Sequence, residues 1–492
     1  MPIITDGDCK SPARCTSHSM RCLRPPSNAA LMLTLQDRLH RRQFLRVGGL
    51  SLGGLTLADL LAAKATARSA KLPLRDKSVI FLFQHGGPSQ FETFDPKMDA
   101  PREIRSATGE IPTRIPGITF GSTFEKLAKL NDKFSIVRSF ATGDANHDIK
   151  PIVGRDTLRA NMGTLYARVA GALRPDTAMP TNVALFPRAV DPASGPHITQ
   201  FGNFESTGEF GSSYAPFVPG AGGGLQADMK LNLPQSRLND RRELLSSLDQ
   251  WRHRLQAGGT FDGTDTFQQQ AFATLERGIS DAFDLTREDP RVIARYDPAP
   301  LASRDRFSPA WKNREHYADN SATLGRLLLL ARRLCERGAG FVTVTTSFVW
   351  DMHADVNNAP MTTGMDYVGR PFDHAVSAFI EDCEARGLRD KILLVCCGEM
   401  GRTPRINAKG GRDHWGGLAP LMLYGGGLQM GKVIGASSRD GGTPSDNPVT
   451  MQNLLATVMH TLLDLGEVRV MDGLPKTLLD TLTGGEPIKG LC

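Results

Sequence analysis

The chain has 492 residues, of which 40% are hydrophobic and 22% charged, a composition typical of a soluble globular protein with one large or two smaller domains. Its net charge of +6 comes largely from residues 1–67, which carry 9 Lys/Arg and 4 Asp/Glu out of totals of 58 and 52. Because the remainder is nearly neutral, the composition argues against a nucleic-acid partner, which requires clustered positive charge.

The first 67 residues resemble a twin-arginine export signal. An Arg-Arg pair at 41–42 is followed by Phe-Leu, a Gly-rich and moderately apolar run covers residues 47–61, and Ala-Thr-Ala at 65–67 has the small residues of a cleavage site. An amphipathic first helix is the alternative interpretation. We expect this leader to be removed and the mature chain to be periplasmic or secreted. The sequence contains no run of the ~20 apolar residues that a membrane span needs.

The mature chain begins with a predicted strand at residues 78–83, which ends in a polar Gly-Gly turn. His85 stands in this turn and is a candidate metal ligand. The alternative is a structural histidine that caps the turn. A phosphate-binding loop is a poor match, because the Gly-Lys-Ser/Thr ending is missing.

A second predicted strand, at residues 134–140, follows a short amphipathic helix at 124–130. It also leads into a polar loop, whose side chains include Thr142 and His147. Two successive strands therefore end in polar, histidine-containing loops. This recurrence indicates a site more strongly than either histidine alone.

Residues 190–235 are rich in Gly, Pro, Ser and Phe without periodicity and predict an irregular surface segment. Apolar residues then recur at helical spacing in residues 244–255 and 267–285. We interpret residues 195–310 as an irregular and helical insertion in a single domain that covers residues 68–492.

Helices and strands alternate again after the insertion: helix 321–337, strand 341–345, helix 372–386, strand 392–397, strand 420–424 and helix 450–463. This alternation predicts an α/β fold, with a parallel sheet and helices on both of its faces. Right-handed crossovers would place the loops that follow the strands along one edge. Cys396 and Cys397 should point to opposite faces as buried small hydrophobes, and no disulfide framework is visible.

Acidic and imidazole side chains recur at these predicted strand ends. Asp351 and His353 follow one strand, Glu399 follows the next, and Asp413 and His414 lie between two strands. With the first turn included, we predict a metal site from His85, Asp351, His353, Glu399, Asp413 and His414.

Mixed oxygen and nitrogen ligands suit one or two Zn²⁺ or Mn²⁺ ions better than Ca²⁺ or Mg²⁺. Arg402 and Arg412 are predicted to bind an anionic substrate through bidentate contacts. The alternative interpretation makes Asp351 and His353 a solvent-facing turn and residues 413–415 a structural corner.

Four motifs resemble domain-of-unknown-function family 1501, exported proteins of the alkaline phosphatase and sulfatase superfamily. They are RRQFLR at 41–46, HGGPSQFETFDPK at 85–97, WDMH at 350–353 and GEMGRTPRINAKGGRDHW at 398–415. The resemblance implies an alkaline-phosphatase-like fold and places the superfamily's nucleophile near residues 142–147. Thr142 and His147 are therefore the predicted catalytic residues, with a metal-bound water as the alternative nucleophile.

The resemblance implies an exported metal-dependent hydrolase of phosphate or sulfate esters. The expected partner is an anionic small molecule or a polysaccharide fragment. The alternative is a non-catalytic surface protein that retains the fold and binds an anion or a glycan.

Overall fold

The computed structural model describes residues 72–220, 280–345 and 347–492. These residues belong to the unit Lys71–Cys492. The predicted leader, the helix at 244–255 and most of the helix at 267–285 lie outside the described residues.

The described strands form one large sheet and three small two-stranded ones. Their bounds are β1 Ser78–Phe83, β2 Glu110–Pro112, β3 Thr119–Gly121, β4 Phe134–Val137, β5 Asn182–Leu185, β6 Phe341–Thr345, β7 Ile392–Cys397, β8 Gly401–Arg402, β9 His414–Trp415, β10 Leu421–Gly425, β11 Val433–Ile434, β12 Ala436–Ser437 and β13 Pro444–Asp446. The large sheet has the order β11-β4-β10-β7-β1-β6-β5, and the pairs β2/β3, β8/β9 and β12/β13 form the small sheets.

The described α-helices are α1 Glu125–Lys129, α2 Met162–Ala170, α3 Ser280–Phe283, α4 Pro290–Tyr296, α5 Arg314–Glu336, α6 Met361–Gly364, α7 Arg370–Ala385, α8 Met451–Leu462, α9 Leu465–Arg469 and α10 Lys476–Thr483. A π-helix, Met365–Gly369, joins α6 to α7, and short 3₁₀ turns occur between the other elements. In the described part of the chain, no helix has both the length and the apolarity required to cross a bilayer.

The central strands are buried on both faces, as the apolar run of β1 predicts. Ile80 and Leu82 pack on the side covered by α5 and α7, whereas Val79 and Phe81 pack on the side covered by α2 and α8. Side chains of a strand alternate between the faces, so each face needs its own layer of helices. The predicted α/β class is confirmed.

One expectation about the sheet was wrong, because the sheet is not parallel throughout. β10 runs antiparallel to both β4 and β7, while β1 pairs in parallel with β6 and β7. The chain passes from β7 to β10 through the β8/β9 hairpin without a crossover helix, so it enters the sheet in the opposite direction. The beginning of β10 consequently lies at the edge where β7 ends.

Three other elements differ from the sequence prediction. Helix α5 begins at Arg314, seven residues before the predicted start, and α2 with β5 fills a segment for which no element was predicted. The described part of the insertion contains the helices α3 and α4. Tyr296 of α4 donates a hydrogen bond to Asp382 of α7 at 2.9 Å, which ties this part of the insertion to a helix that covers the sheet.

Asp373 of α7 caps the first turn of α1. Its carboxylate accepts hydrogen bonds from the backbone N–H groups of Lys126 and Leu127, the shortest at 2.7 Å. Burial raises the pKa of Asp373 to about 6, against the opposing effect of these hydrogen bonds. The folded chain therefore binds a proton here at a pH where the unfolded chain has lost it.

We expect the substitution Asp373→Asn to remove a pH dependence from the stability. In the native chain, the stabilisation from protonated Asp373 is full below the unfolded pKa and is lost as the pH rises through about 6, a change of up to about 3 kcal/mol. Urea unfolding of both proteins in chelator between pH 4 and 7 measures this difference. Parallel stability curves for the two proteins would contradict the assignment.

Candidate metal centre

Four side chains from three separate loops meet at the edge where the parallel strands end. His147 lies in the loop after β4, Asp351 and His353 follow β6, and His414 begins β9. One potential ligand atom from each lies within 4.8 Å of all the others. We call these four residues the strand-end cluster; the carboxyl ends of strands are where α/β folds commonly place ligands.

The three histidines converge on a single oxygen of Asp351. Oδ1 lies 2.9 Å from His353 Nε2, 3.2 Å from His414 Nε2 and 3.4 Å from His147 Nε2. Three imidazole nitrogens and one carboxylate oxygen form a common donor set for Zn²⁺ and related divalent ions. The cluster could therefore hold a metal ion.

Two further carboxylates stand behind the histidines. His147 Nδ1 lies 2.9 Å from Glu399 Oε1, and His353 Nδ1 lies 3.1 Å from Asp413 Oδ1. A carboxylate on the second ring nitrogen fixes the tautomer of a metal-binding histidine and turns the free Nε2 lone pair toward the ion. Glu399 and Asp413, both predicted as direct ligands, thus occupy positions suited to orienting ligands.

Two features of the imidazole nitrogens in the cluster suit a bound cation. His353 Nε2 and His414 Nε2 are 2.8 Å apart, so two lone pairs would repel unless a proton or a cation lies between them. His147 Nε2 is buried and makes no hydrogen bond among the described residues. These observations, together with the donor set, show that the residues fit a divalent ion.

Electrostatics favours the cation-binding forms of Asp351 and His414 but not that of His147. Burial alone would raise the pKa of Asp351, but the Arg402 guanidinium and the surrounding histidines outweigh it and hold this pKa well below its usual range. Burial also lowers the pKa of His414, despite the nearby Asp351. For His147, burial acts in the same direction, but Asp351 and Glu399 raise the pKa overall.

Arg402, predicted to bind a substrate anion, is instead fully committed inside the protein. Its side chain is 0% exposed, and Nη2 lies 2.7 Å from Asp351 Oδ1. Nε donates to the carbonyl of Gly87 at 2.8 Å, and the remaining N–H groups bond to backbone carbonyls and to His353 Nε2. Arg402 therefore holds Asp351 in place, and its predicted contact with a substrate lacks a free donor.

Arg412 forms a separate buried ion pair with Glu92, and both side chains are 0% exposed. The guanidinium also lies over the ring of Phe91 and donates to four backbone carbonyls. These partners occupy its N–H groups. The predicted role of Arg412 in anion binding stays a prediction that these contacts do not favour.

His85 is not brought into the cluster. Its ring packs against Phe201 and Phe348 with centroids 5.4 and 5.0 Å away, and burial lowers its pKa to about 4. The neighbouring turn is tight: Gly86 has φ of +110°, and a Cβ there would lie 2.7 Å from the backbone nitrogen of Asp351. The turn positions Asp351 and Glu399, which accepts from the N–H of Gly86 at 3.0 Å, rather than presenting His85 as a ligand.

Thr142 lies in the loop after β4, as predicted. Its Oγ1 is buried and has no hydrogen-bond partner among the described residues, so the hydroxyl is not committed to a structural role there. The next residue, Gly143, donates from its N–H to the carbonyl of Gly416 at 3.0 Å, which places this loop beside the strand that carries His414. The role of Thr142 as nucleophile stays a prediction.

Sequence reasoning missed one contributor to the cluster. Asn358 is buried and donates from Nδ2 to Asp351 Oδ2 at 3.2 Å, which leaves Oδ1 to face the histidines. The available signal was the Asp/Asn-rich turn at residues 355–358, where such side chains often bond to nearby polar groups. His147 was predicted as a catalytic residue, whereas the structure groups it with the candidate ligands.

We expect Asp413→Asn to weaken metal binding by about 10-fold to 100-fold, because the amide no longer fixes the tautomer of His353 as a carboxylate does. Stability should change little, since the Asp413 side chain is 61% exposed. Titration of the metal-free proteins with Zn²⁺ measures the affinity. Asp390→Asn, at an exposed position before β7, is the control, and equal affinities of the two variants would refute the orienting role.

Comparison with known proteins gives a family match. Residues 76–489 match the model of a family described as "Protein of unknown function (DUF1501)". No curated protein sequence matches the chain.

Several solved structures overlap with most of the chain at low identity. The sulfatase PsFucS1 from Pseudoalteromonas sp. is 12% identical, with 88% of this chain and 77% of that chain covered at a TM-score of 0.36. The phosphonate monoester hydrolase SpPMH from Silicibacter pomeroyi is 11% identical, with 84% of this chain and 78% of that chain covered at a TM-score of 0.33. The lipoteichoic acid synthase LtaP from Listeria monocytogenes is 10% identical, with 85% of this chain and 75% of that chain covered at a TM-score of 0.33. Likenesses of this size carry no argument about the activity of the chain.

Proposed function

The chain belongs to the DUF1501 family of proteins of unknown function, and we propose from the geometry of the strand-end cluster that it is a metal-dependent hydrolase of phosphate or sulfate esters. The observation that carries the proposal is the convergence of three imidazole Nε2 atoms on Asp351 Oδ1, with carboxylates behind two of the three rings. A structural turn or corner needs no such convergence.

His147, Asp351, His353 and His414 would hold the ion, for which Zn²⁺ or Mn²⁺ is the best fit to the donor set. A divalent ion held there supplies Lewis-acid polarisation of an ester oxygen and lowers the pKa of a bound water. Glu399 and Asp413 orient two of the imidazole rings. Arg402 keeps Asp351 ionised and in position.

Thr142 is the side chain that we propose as nucleophile, with water as the alternative. A threonine hydroxyl requires activation, and an uncommitted Oγ1 is free to donate its proton when a base or a cation is near. Thr142→Ala and Thr142→Ser separate the two cases. A nucleophilic threonine predicts loss of turnover in the alanine variant and partial retention in the serine variant, whereas a water nucleophile predicts turnover in both.

An ester screen tests the proposed activity. Metal-free protein is loaded with Zn²⁺ or Mn²⁺ and assayed against phosphate and sulfate esters, with His414→Ala as the inactive variant and His460→Ala, on α8, as the control. We expect turnover in the native chain and the control, and none in His414→Ala. Metal binding without turnover on any ester would favour the alternative of a non-catalytic anion-binding or glycan-binding protein.

We also propose that the protein acts outside the cytoplasm, on anionic small molecules or fragments of polysaccharides. The support is the leader, in which the Arg-Arg pair precedes a weakly apolar run and an Ala-Thr-Ala site. Lys-Lys substitution at positions 41–42 should retain the protein in the cytoplasm of its host. Fractionation of the cells measures this, and unchanged export would contradict the proposed route.

A further inference from the structure

The charge around the strand-end cluster is negative. Asp351, Glu399 and Asp413 contribute three carboxylates, which are opposed by the single guanidinium of Arg402. Beside them, Lys150 pairs with both Asp144 and Asp148 at 3.0 Å. These three residues together add one more net negative charge. With a divalent ion bound, the group still carries about one net negative charge.

Two buried cations beside the cluster, Arg402 and Lys150, are held by internal partners. The N–H groups of Arg402 are distributed over Asp351, His353 and the carbonyls of Gly86, Gly87, Trp350 and Arg412. The side chain of Lys150 is 7% exposed, and its Nζ contacts the two aspartates and the carbonyl of Asn146. Recruiting either cation would break internal bonds that stabilise the buried groups.

The charge on the substrate therefore decides how well it fits. A monoanionic ester places one negative charge next to the ion, whereas a phosphate monoester above pH ~6 places two. The second charge faces these carboxylates while the cationic groups of Arg402 and Lys150 are held by internal partners, and at an effective dielectric constant of ~20 this repulsion acts strongly over a few ångströms.

We propose that the site takes monoanionic esters, namely phosphodiesters, phosphonate monoesters and sulfate monoesters, in preference to dianionic phosphate monoesters. This inference rests on the proposed function and adds the charge class of its substrate. The preference for monoanions arises because the N–H groups of Arg402 and Lys150 bond to internal partners and do not offset a second charge on the substrate.

Two esters that differ in charge but hardly in shape test the proposal. At pH 8, 4-nitrophenyl methylphosphonate is a monoanion and 4-nitrophenyl phosphate is a dianion, and both release the same alcohol. For the metal-loaded protein we expect kcat/KM for the monoanion to exceed that for the dianion by at least ~10-fold after correction for the uncatalysed rates. An equal or inverted ratio would overturn the proposal and leave the hydrolase function standing.

A binding measurement makes the test independent of turnover. Calorimetry with phenyl methylphosphonate and phenyl phosphate compares the two charges on the metal-loaded chain, and we expect the monoanion to bind more tightly by a similar factor. Tighter binding of the dianion, or no binding of either, would sink the idea. Absence of both metal binding and hydrolysis would instead refute the proposed function itself.

Asp144→Asn provides a graded check, because Asp144 is exposed and is not a candidate ligand. Removal of its charge leaves Lys150 less neutralised, so the preference for the monoanion should shrink several-fold. Asp480→Asn, on α10, is the matched control and should leave the ratio unchanged. A ratio that is identical in Asp144→Asn and the native chain would contradict selection by charge.

Discussion

Replacing His414 by alanine should abolish stoichiometric binding of a divalent ion while leaving the metal-free fold intact. The imidazole supplies one of four donor atoms that lie within 4.8 Å of one another, and its Nε2 contacts His353 and Asp351 of the same cluster. Loss of an orienting partner typically costs 10-fold to 100-fold in affinity, so loss of a direct ligand should cost at least ~100-fold.

The measurement is a Zn²⁺ titration of chelator-treated protein, combined with elemental analysis of the loaded sample. Native protein and His460→Ala should retain the metal after dialysis, and His414→Ala should not. Thermal unfolding in chelator checks the fold, because the side chain of His414 is 30% exposed and lies outside the hydrophobic core. Full retention of metal by His414→Ala would remove the basis of the candidate centre.

The substitution Glu92→Gln should destabilise the protein by about 3–5 kcal/mol, because it leaves the Arg412 guanidinium charged and unpaired in the interior. Glu92 Oε1 accepts from Arg412 Nη2 at 3.0 Å and from the N–H of Ala107 at 2.9 Å. Ser89 Oγ donates to the other carboxylate oxygen. An amide retains part of this bonding but none of the charge.

Urea unfolding of metal-free protein measures the effect of Glu92→Gln on the free energy of unfolding. Glu315→Gln is the control, because the pair of Glu315 with Arg304 is 60% exposed on both sides and surface pairs contribute little. Equal destabilisation by the two substitutions would show that the buried pair contributes no more to the free energy of unfolding than the exposed pair does.

Local sequence patterns predicted the central strands well. The bounds of β1, β6 and β7 coincide with the predicted ones, because each is an apolar, mostly β-branched or aliphatic run that ends at polar or glycine-containing loops. Cys396 and Cys397 pack on opposite faces, as strand alternation requires. The direction of β10 was not predictable in this way, because periodicity does not report which way a strand runs.

The candidate site was predicted in part for the same reason. The polar residues that follow the strands predicted that Asp351, His353 and His414 would lie together, because parallel strands end at the same edge of the sheet. Which side chains would bind the ion and which lie behind them depends on distances between loops that are far apart in sequence. Glu399 and Asp413 therefore looked like ligands, although each lies behind a histidine.

The internal partners of Arg402 were not foreseen for a related reason, and its anion-binding role stays a prediction. An arginine near a predicted metal site suggests that it binds a substrate anion. The N–H groups of Arg402 instead donate to carbonyls of the turn after β1 and of the segment after β6. Burial and internal bonding of this kind depend on the complete tertiary structure. The sequence shows the charge of the residue and not its partners.

The bonds of Arg402 also have a consequence for the timescale of metal uptake. They join the turn at Gly86 and Gly87, the segment at Trp350 and Asp351, and the hairpin that carries His414, and none of them passes through an ion. Backbone amides of these loops should therefore exchange slowly with solvent even in chelator. Ion entry would then proceed as a single bimolecular step rather than as folding coupled to binding.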